Sequence, residues 1–434
     1  MTGNSQRSTS DQATSSVVSQ GKPRRLYYGW YIVITLGVIS IIVQGTSSYL
    51  FGVILIQLQH DLGATRAAVS GAFSLSFLLW AVTGIPAGRF VDQRGGRLLM
   101  SVGSLLGGIS LIALAFAHTT WEVYLFWGLG LGIAVGLTSQ QLSYAVAAAW
   151  FDRRMGAAFG VVTTFSALAP TLYLPAMALA TASLGWRPAV IIAGLLYVLA
   201  ALPALLLLRR RPSDLGLEMD GAVKTSRPAL ISPGLSMSQA LRRVAFWTIT
   251  LNATFALVSW SAISAHQIAF LTGRGIDPVV AASALGVVGL ISIPARLAVN
   301  VLADRLGPRS LLGITMLIQA VGTLCLLLTT NLAWLAAYVV VFGLAFGAAS
   351  GLRASLMAEH VGRRRFGAIT AVMGLVSIGP SALGPVVAGS LYDHFGNYDL
   401  AFGLATLCMV GATAMVLVTP VTTSQYTREQ AVAH

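Results

Sequence analysis

The chain has 434 residues, 56% of them hydrophobic types and only 9% charged, against about 25% charged in an ordinary soluble domain. That excludes a water-soluble globule of this size and makes lipid the main solvent. The formal net charge of +13 sits in short basic clusters between long apolar runs, a membrane topology signal rather than a nucleic-acid surface.

Residues 1–28 are rich in Ser, Thr and Gln and carry the basic Lys22, Arg24 and Arg25. No short apolar core with a cleavage site lies ahead of these, so the segment reads as a disordered cytoplasmic tail, not a signal peptide. Crossing ~30 Å of hydrocarbon takes about 20 apolar residues. Runs of that kind lie near 29–56, 68–90, 98–117, 121–148, 156–182 and 187–208. A second set lies near 244–271, 279–303, 310–330, 332–358, 367–391 and 400–420, and residues 421–434 form a second polar tail. Between the sets, 209–243 is polar and holds Arg209, Arg210, Arg211, Lys224, Arg227, Arg242 and Arg243, with Pro212, Pro228 and Pro233. The expected architecture is an all-α membrane protein. Its twelve transmembrane helices form two six-helix bundles, 29–208 and 244–420, joined by a cytoplasmic linker.

Of 27 Lys and Arg, 22 fall on the side of the termini and linker. Three fall opposite (Arg66, Arg187, Arg274) and two inside helices (Arg296, Arg353). The bias puts both termini in the cytoplasm.

The halves repeat. Asp92-Gln-Arg-Gly95-Gly-Arg97 follows the second helix, and Asp304-Arg-Leu-Gly307-Pro-Arg309 follows the eighth, 212 residues on. Arg153-Arg154-Met-Gly156-Ala157 and Arg364-Arg365-Phe-Gly367-Ala368 match at an offset of 211, as do Gly132 and Gly136 with Gly343 and Gly347. A duplicated six-helix unit with a site between its copies is a transporter architecture.

The loop from Gly88 through Asp92 and Gly95 to Arg97 resembles the cytoplasmic signature of the major facilitator superfamily, with Gln93 and Gly96 where basic residues are usual. The resemblance implies that superfamily's fold. Glycines allow the tight turn, and Asp92, Arg97, Asp304 and Arg309 are candidates for a conformational gate whose Asp–Arg pairs form across the seam in one state and break in the other. The alternative is a basic loop that serves topology alone. Glycines of the fourth and tenth helices read as close-packing positions. Prolines inside apolar runs, such as Pro86, Pro170, Pro294 and Pro380, are expected to kink their helices and free carbonyls.

Arg296 and Arg353 are the most informative residues. An arginine at the bilayer centre costs about 2.5–3.5 kcal/mol on the insertion scale. All 14 acidic residues lie outside the membrane centre, so neither arginine has a carboxylate partner there. An anionic substrate would be that partner, because guanidinium offers carboxylate a bidentate fork. The competing reading is bonding to backbone carbonyls or snorkelling. His266 is a candidate proton or substrate ligand or a structural hydrogen-bonding residue. Gln44, Gln140, Tyr144 and Tyr173 are polar points expected along a cavity. Cys325 and Cys408 sit in apolar runs and read as packing residues. Neither metal nor cofactor motifs appear, and an enzyme reading has no residues to stand on.

The stretch from His266 through Asp277-Pro278 to Arg296 and Asp304-Arg305-Leu-Gly307 resembles the monocarboxylate porter and oxalate/formate antiporter families. So do Tyr28-Gly29-Trp30, Trp150-Phe151-Asp152-Arg153-Arg154, Arg211-Pro212-Ser213-Asp214-Leu215-Gly216-Leu217 and Ala358-Glu359-His360-Val361-Gly362. The resemblance implies transport of a small organic anion, a mono- or dicarboxylate, by proton symport or exchange, with an eighth-helix arginine as ligand; Arg296 occupies that place. Three positions depart: Ser377 stands where oxalate exchangers carry lysine, Ser292 stands where animal-type porters carry an acid, and the first helix has no lysine. Arg353 is a candidate replacement for the missing second charge. A functional monomer in a bacterial inner membrane is expected. The rivals are an efflux pump for an anionic or neutral compound and a transporter-like sensor.

The charge bias has a direct check. Cysteines placed before Lys22 and near Lys224 should label only from the cytoplasm, and one replacing Thr119 only from outside. External labelling of the linker in intact cells would overturn the topology.

Overall fold

The computed structural model describes residues 27–151, 154–219, 235–362 and 366–421. The tails and residues 220–234 of the expected linker lie outside the described residues. Among the described residues, twelve helices are long and apolar enough to cross a membrane. The first six are α1 (Tyr28–Leu62), α2 (Arg66–Arg94), α3 (Gly96–Leu114), α4 (Thr120–Ala148), α5 (Gly156–Leu184) and α6 (Trp186–Leu207). The second six are α7 (Val244–Gly273), α8 (Pro278–Leu306), α9 (Pro308–Leu327), α10 (Leu332–Val361), α11 (Val372–Phe395) and α12 (Asp399–Val418). Following the basic-residue bias, the face of the termini is called inner and the opposite face outer.

Local sequence sets the helix ends. At the outer starts of α2, α4, α8 and α10, the side chains of Thr65, Thr119, Asp277 and Asn331 accept hydrogen bonds from first-turn amides, which would otherwise be orphaned. The helix α1 runs past the expected end at 56 because its polar last turn is still helical; Gly63, at φ 58°, stops it.

The duplication extends from motifs to bonds. At the inner face Arg97 Nε donates to Leu205 O (2.6 Å), and Arg309 Nη2 donates to Leu417 O (2.7 Å). Donors and acceptors are each 212 residues apart (309 − 97 and 417 − 205). Both arginines thus tie the start of α3 or α9 to the end of α6 or α12 inside one bundle. The outer face repeats too. Arg187 donates to Ala115 O (2.7 Å) and faces Asp61 at 3.8 Å. Arg274 donates to Leu327 O (2.6 Å) and pairs with Asp399 at 2.6 Å. The two ion pairs occupy matching places with reversed sign: Asp61 matches Arg274 and Arg187 matches Asp399, at offsets of 213 and 212 (274 − 61 and 399 − 187). Either polarity closes the same contact, so the repeat was not legible there as identity.

Small residues set the helix spacing. Gly128, Gly132 and Gly136 of α4 lie against Leu75, Ser76 and Thr83 of α2, and Gly343 of α10 lies against Ile291 of α8. Close approach of this kind needs a missing Cβ. Cys325 and Cys408 are free thiols, half-buried.

The bundles meet mainly toward the outer face. There Gly52 abuts the carbonyls of Ser264 and Ala265, Gly289 meets Pro170, and Gly389 meets the backbone of Arg66 and Ala67. Thr171 Oγ1 donates across to Gly286 O (2.8 Å). Toward the inner face, Gly84 and Gly88 of α2, Gly156 and Gly160 of α5, and Gly374 and Gly379 of α11 face open space. The arrangement is closed outside and open inside.

The two outer ion pairs differ in quality, and stability should follow. Arg274→Ala removes two carbonyl bonds and a short ion pair to an exposed Asp399, with the arginine itself three-quarters buried. It should lower the thermal midpoint of the purified protein by more than Arg187→Ala, each charged hydrogen bond contributing about 1.5–3 kcal/mol when shielded. Equal midpoints would contradict this.

Candidate functional site

The site begins with an interrupted helix. In α10, Phe346 is extended (ψ 123°) and Gly347 left-handed (φ 83°), a conformation that glycine adopts without strain. The interruption frees carbonyls in the membrane, where each needs a donor. Gln319 Nε2 donates to Ala345 O at 3.0 Å, and Arg296 Nε reaches Phe346 O at 3.4 Å. The helix α4 is broken at Ser139 (ψ 156°), α1 carries a π-helical turn at Thr46–Leu50, and α5 carries one at Ala169–Tyr173. Such turns recur at functional positions.

Arg296 is half-buried on α8, packed over Gly347, where a Cβ would overlap its guanidinium. Its long bond to Phe346 O is the only hydrogen bond it makes among the described residues, and no carboxylate lies within ion-pair distance there. The Phe346 ring lies 5.8 Å from its Cζ. Tyr49 of α1 and Tyr144 of α4 are near enough to feel its charge. Two bundles therefore converge on one cation with donors to spare.

Arg353 takes a different course. It shares the buried face of Ala349, Leu352 and Leu356. Its Nε donates to Asn252 Oδ1 of α7 at 2.7 Å, and Nη2 approaches Met316 Sδ of α9 at 3.9 Å. Asn252 Nδ2 in turn donates to Ala412 O of α12 at 2.8 Å. Arg353 was expected as a second cavity charge; Asn252, an amide that a search for acids passes over, engages it inside the second bundle.

The polar points of the first bundle are mostly engaged there. Tyr144 shares a hydrogen bond with Thr163 (2.9 Å), and Gln140 donates to Ser166 (3.1 Å). Gln44 donates to Ser48 (2.8 Å), one turn along its own helix. Tyr173 is buried and bonded to Thr46 (2.6 Å). Of these, Tyr144 is the one near enough to feel the charge of Arg296. Tyr49, Trp260 and Phe346 were missed by sequence reasoning, since apolar-run aromatics look alike; the Phe346-Gly347 pair was the available signal.

His266 is fully buried in the outer seam. Its Nε2 lies 2.9 Å from Pro385 O and 3.2 Å from Ser70 Oγ, and its Nδ1 lies 2.9 Å from Tyr398 Oη. A carbonyl only accepts, so Nε2 carries hydrogen, and in the neutral ring Nδ1 accepts from Tyr398. The Tyr398 hydroxyl accepts from Arg66 Nη1 at 2.6 Å, and Arg66 stacks 3.4 Å over the Tyr392 ring. Asp393 accepts from the amides of Arg66 (3.0 Å) and Ala67 (2.7 Å). A carboxylate of α11 thus caps α2 across the seam, where the helix dipole favours a negative charge. This cluster closes the outer face, and only His266 in it was anticipated. The inner-face gate candidates read differently: Arg97 and Arg309 bond within their own bundles, and the side chains of Asp92 and Asp304 lie outside the described residues.

The family model described as Major Facilitator Superfamily matches residues 37–377 and 301–433. The chain belongs to this superfamily and is a transporter, not an enzyme. It is 26% identical over 401 residues to monocarboxylate transporter 13 of Bos taurus, covering 91% of this chain and 89% of that protein. It is 24% identical to monocarboxylate transporter 2 of Mus musculus, covering 90% and 84%. Among solved structures, a bacterial homolog of the human lysosomal transporter Spinster superposes with a TM-score of 0.68 at 18% identity, covering 94% of this chain and 98% of that one.

The outer cluster makes a checkable lock. Asp393→Ala removes the α2 cap and one side of the Arg66 site. A cysteine at Ser70, buried in the closed seam, should then react severalfold faster with an impermeant maleimide from outside. An unchanged rate would remove Asp393 from the lock.

Proposed function

We propose that this protein is a secondary transporter that carries a small organic anion, a carboxylate, across the cytoplasmic membrane by alternating access. Arg296 is its central ligand. The observation that carries this reading is a half-buried guanidinium between the bundles that has, among the described residues, one long carbonyl bond and no carboxylate beside it. A buried charge left so poorly paired is costly, and a carboxylate arriving from the open inner side would take the remaining N–H donors in a bidentate pair. The names of the relatives point to the same ligand chemistry.

In this reading the substrate enters between the bundles from the inner side and is held by Arg296, with Tyr49 and Tyr144 close by. Rocking of the bundles then opens the outer cluster of Arg66, Asp393, Tyr398 and His266 and closes the inner side. Asp92 and Asp304 are proposed to act in that inner closure. His266 serves the outer gate. A single available cation favours a monocarboxylate over a dicarboxylate. Net movement of an anion charges the membrane, so a proton accompanies it or another anion is exchanged. The proposed setting is a monomer with both termini in the cytoplasm. Efflux of an anionic compound would use the same site; export of cationic compounds would need a buried acid.

Arg296→Lys keeps the charge but loses the planar fork. It should weaken carboxylate binding, and Arg296→Ala should reduce it by about a hundredfold or more, each charged hydrogen bond contributing about 1.5–3 kcal/mol. Both variants should stay monodisperse, because losing the guanidinium also removes its desolvation cost. Thermal shift against a carboxylate panel, where binding raises stability by mass action, and counterflow in liposomes supply the readout. Wild-type affinity in a folded Arg296→Ala protein would make the arginine structural and defeat the reading.

A further inference from the structure

The surroundings of Arg296 are more aromatic than a carboxylate alone requires. On the second bundle, the rings of Trp260 and Phe346 touch at 4.9 Å, inclined at 41°, beside the guanidinium. Tyr49 of α1 meets Trp260 edge-on at 5.9 Å and 78°, carrying the wall across the seam. Phe342 lies behind, stacked on Trp260 at 6.4 Å and on Phe346 at 5.6 Å. On the first bundle, Tyr144 lies against Phe159 at 4.8 Å.

Exposure separates lining from filling. Phe342 and Tyr49 are sealed, at 0% and 3% accessible surface, as core rings are. Trp260, Phe346, Tyr144 and Phe159 are only half-buried, so part of each ring surface is left uncovered. Apolar ring surface held in water is unfavourable by about 25 cal/mol per Å². A ligand with an apolar body covers it; formate or oxalate does not. Arg353, the other arginine within a helix, is engaged with Asn252 inside the second bundle, so a second charge beside Arg296 is not found among the described residues.

Resting on the reading of Arg296 as the carboxylate ligand, we infer that the substrate is a monocarboxylate with a flat apolar body, an aromatic acid, whose ring lies against Trp260 and Phe346. The Phe346 ring lies 5.8 Å from the guanidinium carbon. That separation suits a ring attached to the carboxylate directly or through one or two carbons. Offset or edge contacts between such a ring and the wall add to the area covered.

The test is equilibrium binding to the purified full chain, comparing benzoate and phenylacetate with acetate and oxalate by calorimetry and competition. Phenylacetate should bind about tenfold or more tighter than acetate, and oxalate no tighter than acetate. Trp260→Leu and Phe346→Leu should weaken phenylacetate binding more than acetate binding, lowering the phenylacetate-to-acetate ratio severalfold. Acetate or oxalate binding the wild type as tightly as the aromatic acids would overturn the inference and leave the carboxylate reading standing. Absence of Arg296-dependent binding and counterflow for all four acids would defeat both. The wild-type ranking decides even where a variant fails to fold.

Discussion

A cation placed at membrane depth beside a broken helix is the constraint on which the rest of the structure turns. Arg296 and the Phe346-Gly347 interruption are each unfavourable alone: one buries a charge, the other bares carbonyls to the membrane interior. Together they offset part of each other, through a bond of 3.4 Å that satisfies neither fully. The remainder of the guanidinium's capacity is what a ligand would use. Gly347 makes the arrangement possible, because any Cβ there would occupy the space of the guanidinium.

That site lies between two bundles whose internal bonds are strong and repeated. At the inner ends Arg97 and Arg309 tie α3 to α6 and α9 to α12 at one sequence offset, and at the outer ends Arg187 and Arg274 reach the ends of α3 and α9 with reversed ion-pair polarity. The contacts between bundles are of another kind: glycine-backbone approaches and one polar cluster toward the outer face. Bundles that are stiff inside and joined by a small polar seam can rock as units, which alternating access requires. The Asp393 cap on α2 suits such a seam, since its hydrogen bonds can be exchanged for water when the outer face opens.

The fold was largely legible in the sequence because its causes are long-range averages. Twelve apolar runs and a basic bias survive errors of several residues at any edge. The α1 end was misplaced because a polar last turn looks like a loop until Gly63 is recognised as its cap. Arg296 was legible because a charge in an apolar run is rare. Arg353 carried the same signal and went the other way: its partner is an uncharged amide about a hundred residues distant, and sequence says nothing of which face of α10 turns inward. The outer cluster was mostly invisible for a related reason. Arg66 sits at a helix end more than 300 residues from Asp393 and Tyr398, and each looks like ordinary polar surface until the bundles close on it. The aromatic wall was hidden by abundance, since nothing in an apolar run marks which rings stay half-covered.

The most direct test is an experimental structure of the protein with phenylacetate bound. The carboxylate oxygens should lie about 2.7–2.9 Å from the Arg296 guanidinium nitrogens, between the two bundles, with Gly347 still left-handed. A carboxylate seated elsewhere, or Arg296 drawn into a bond with an acidic side chain of the protein itself, would contradict the account.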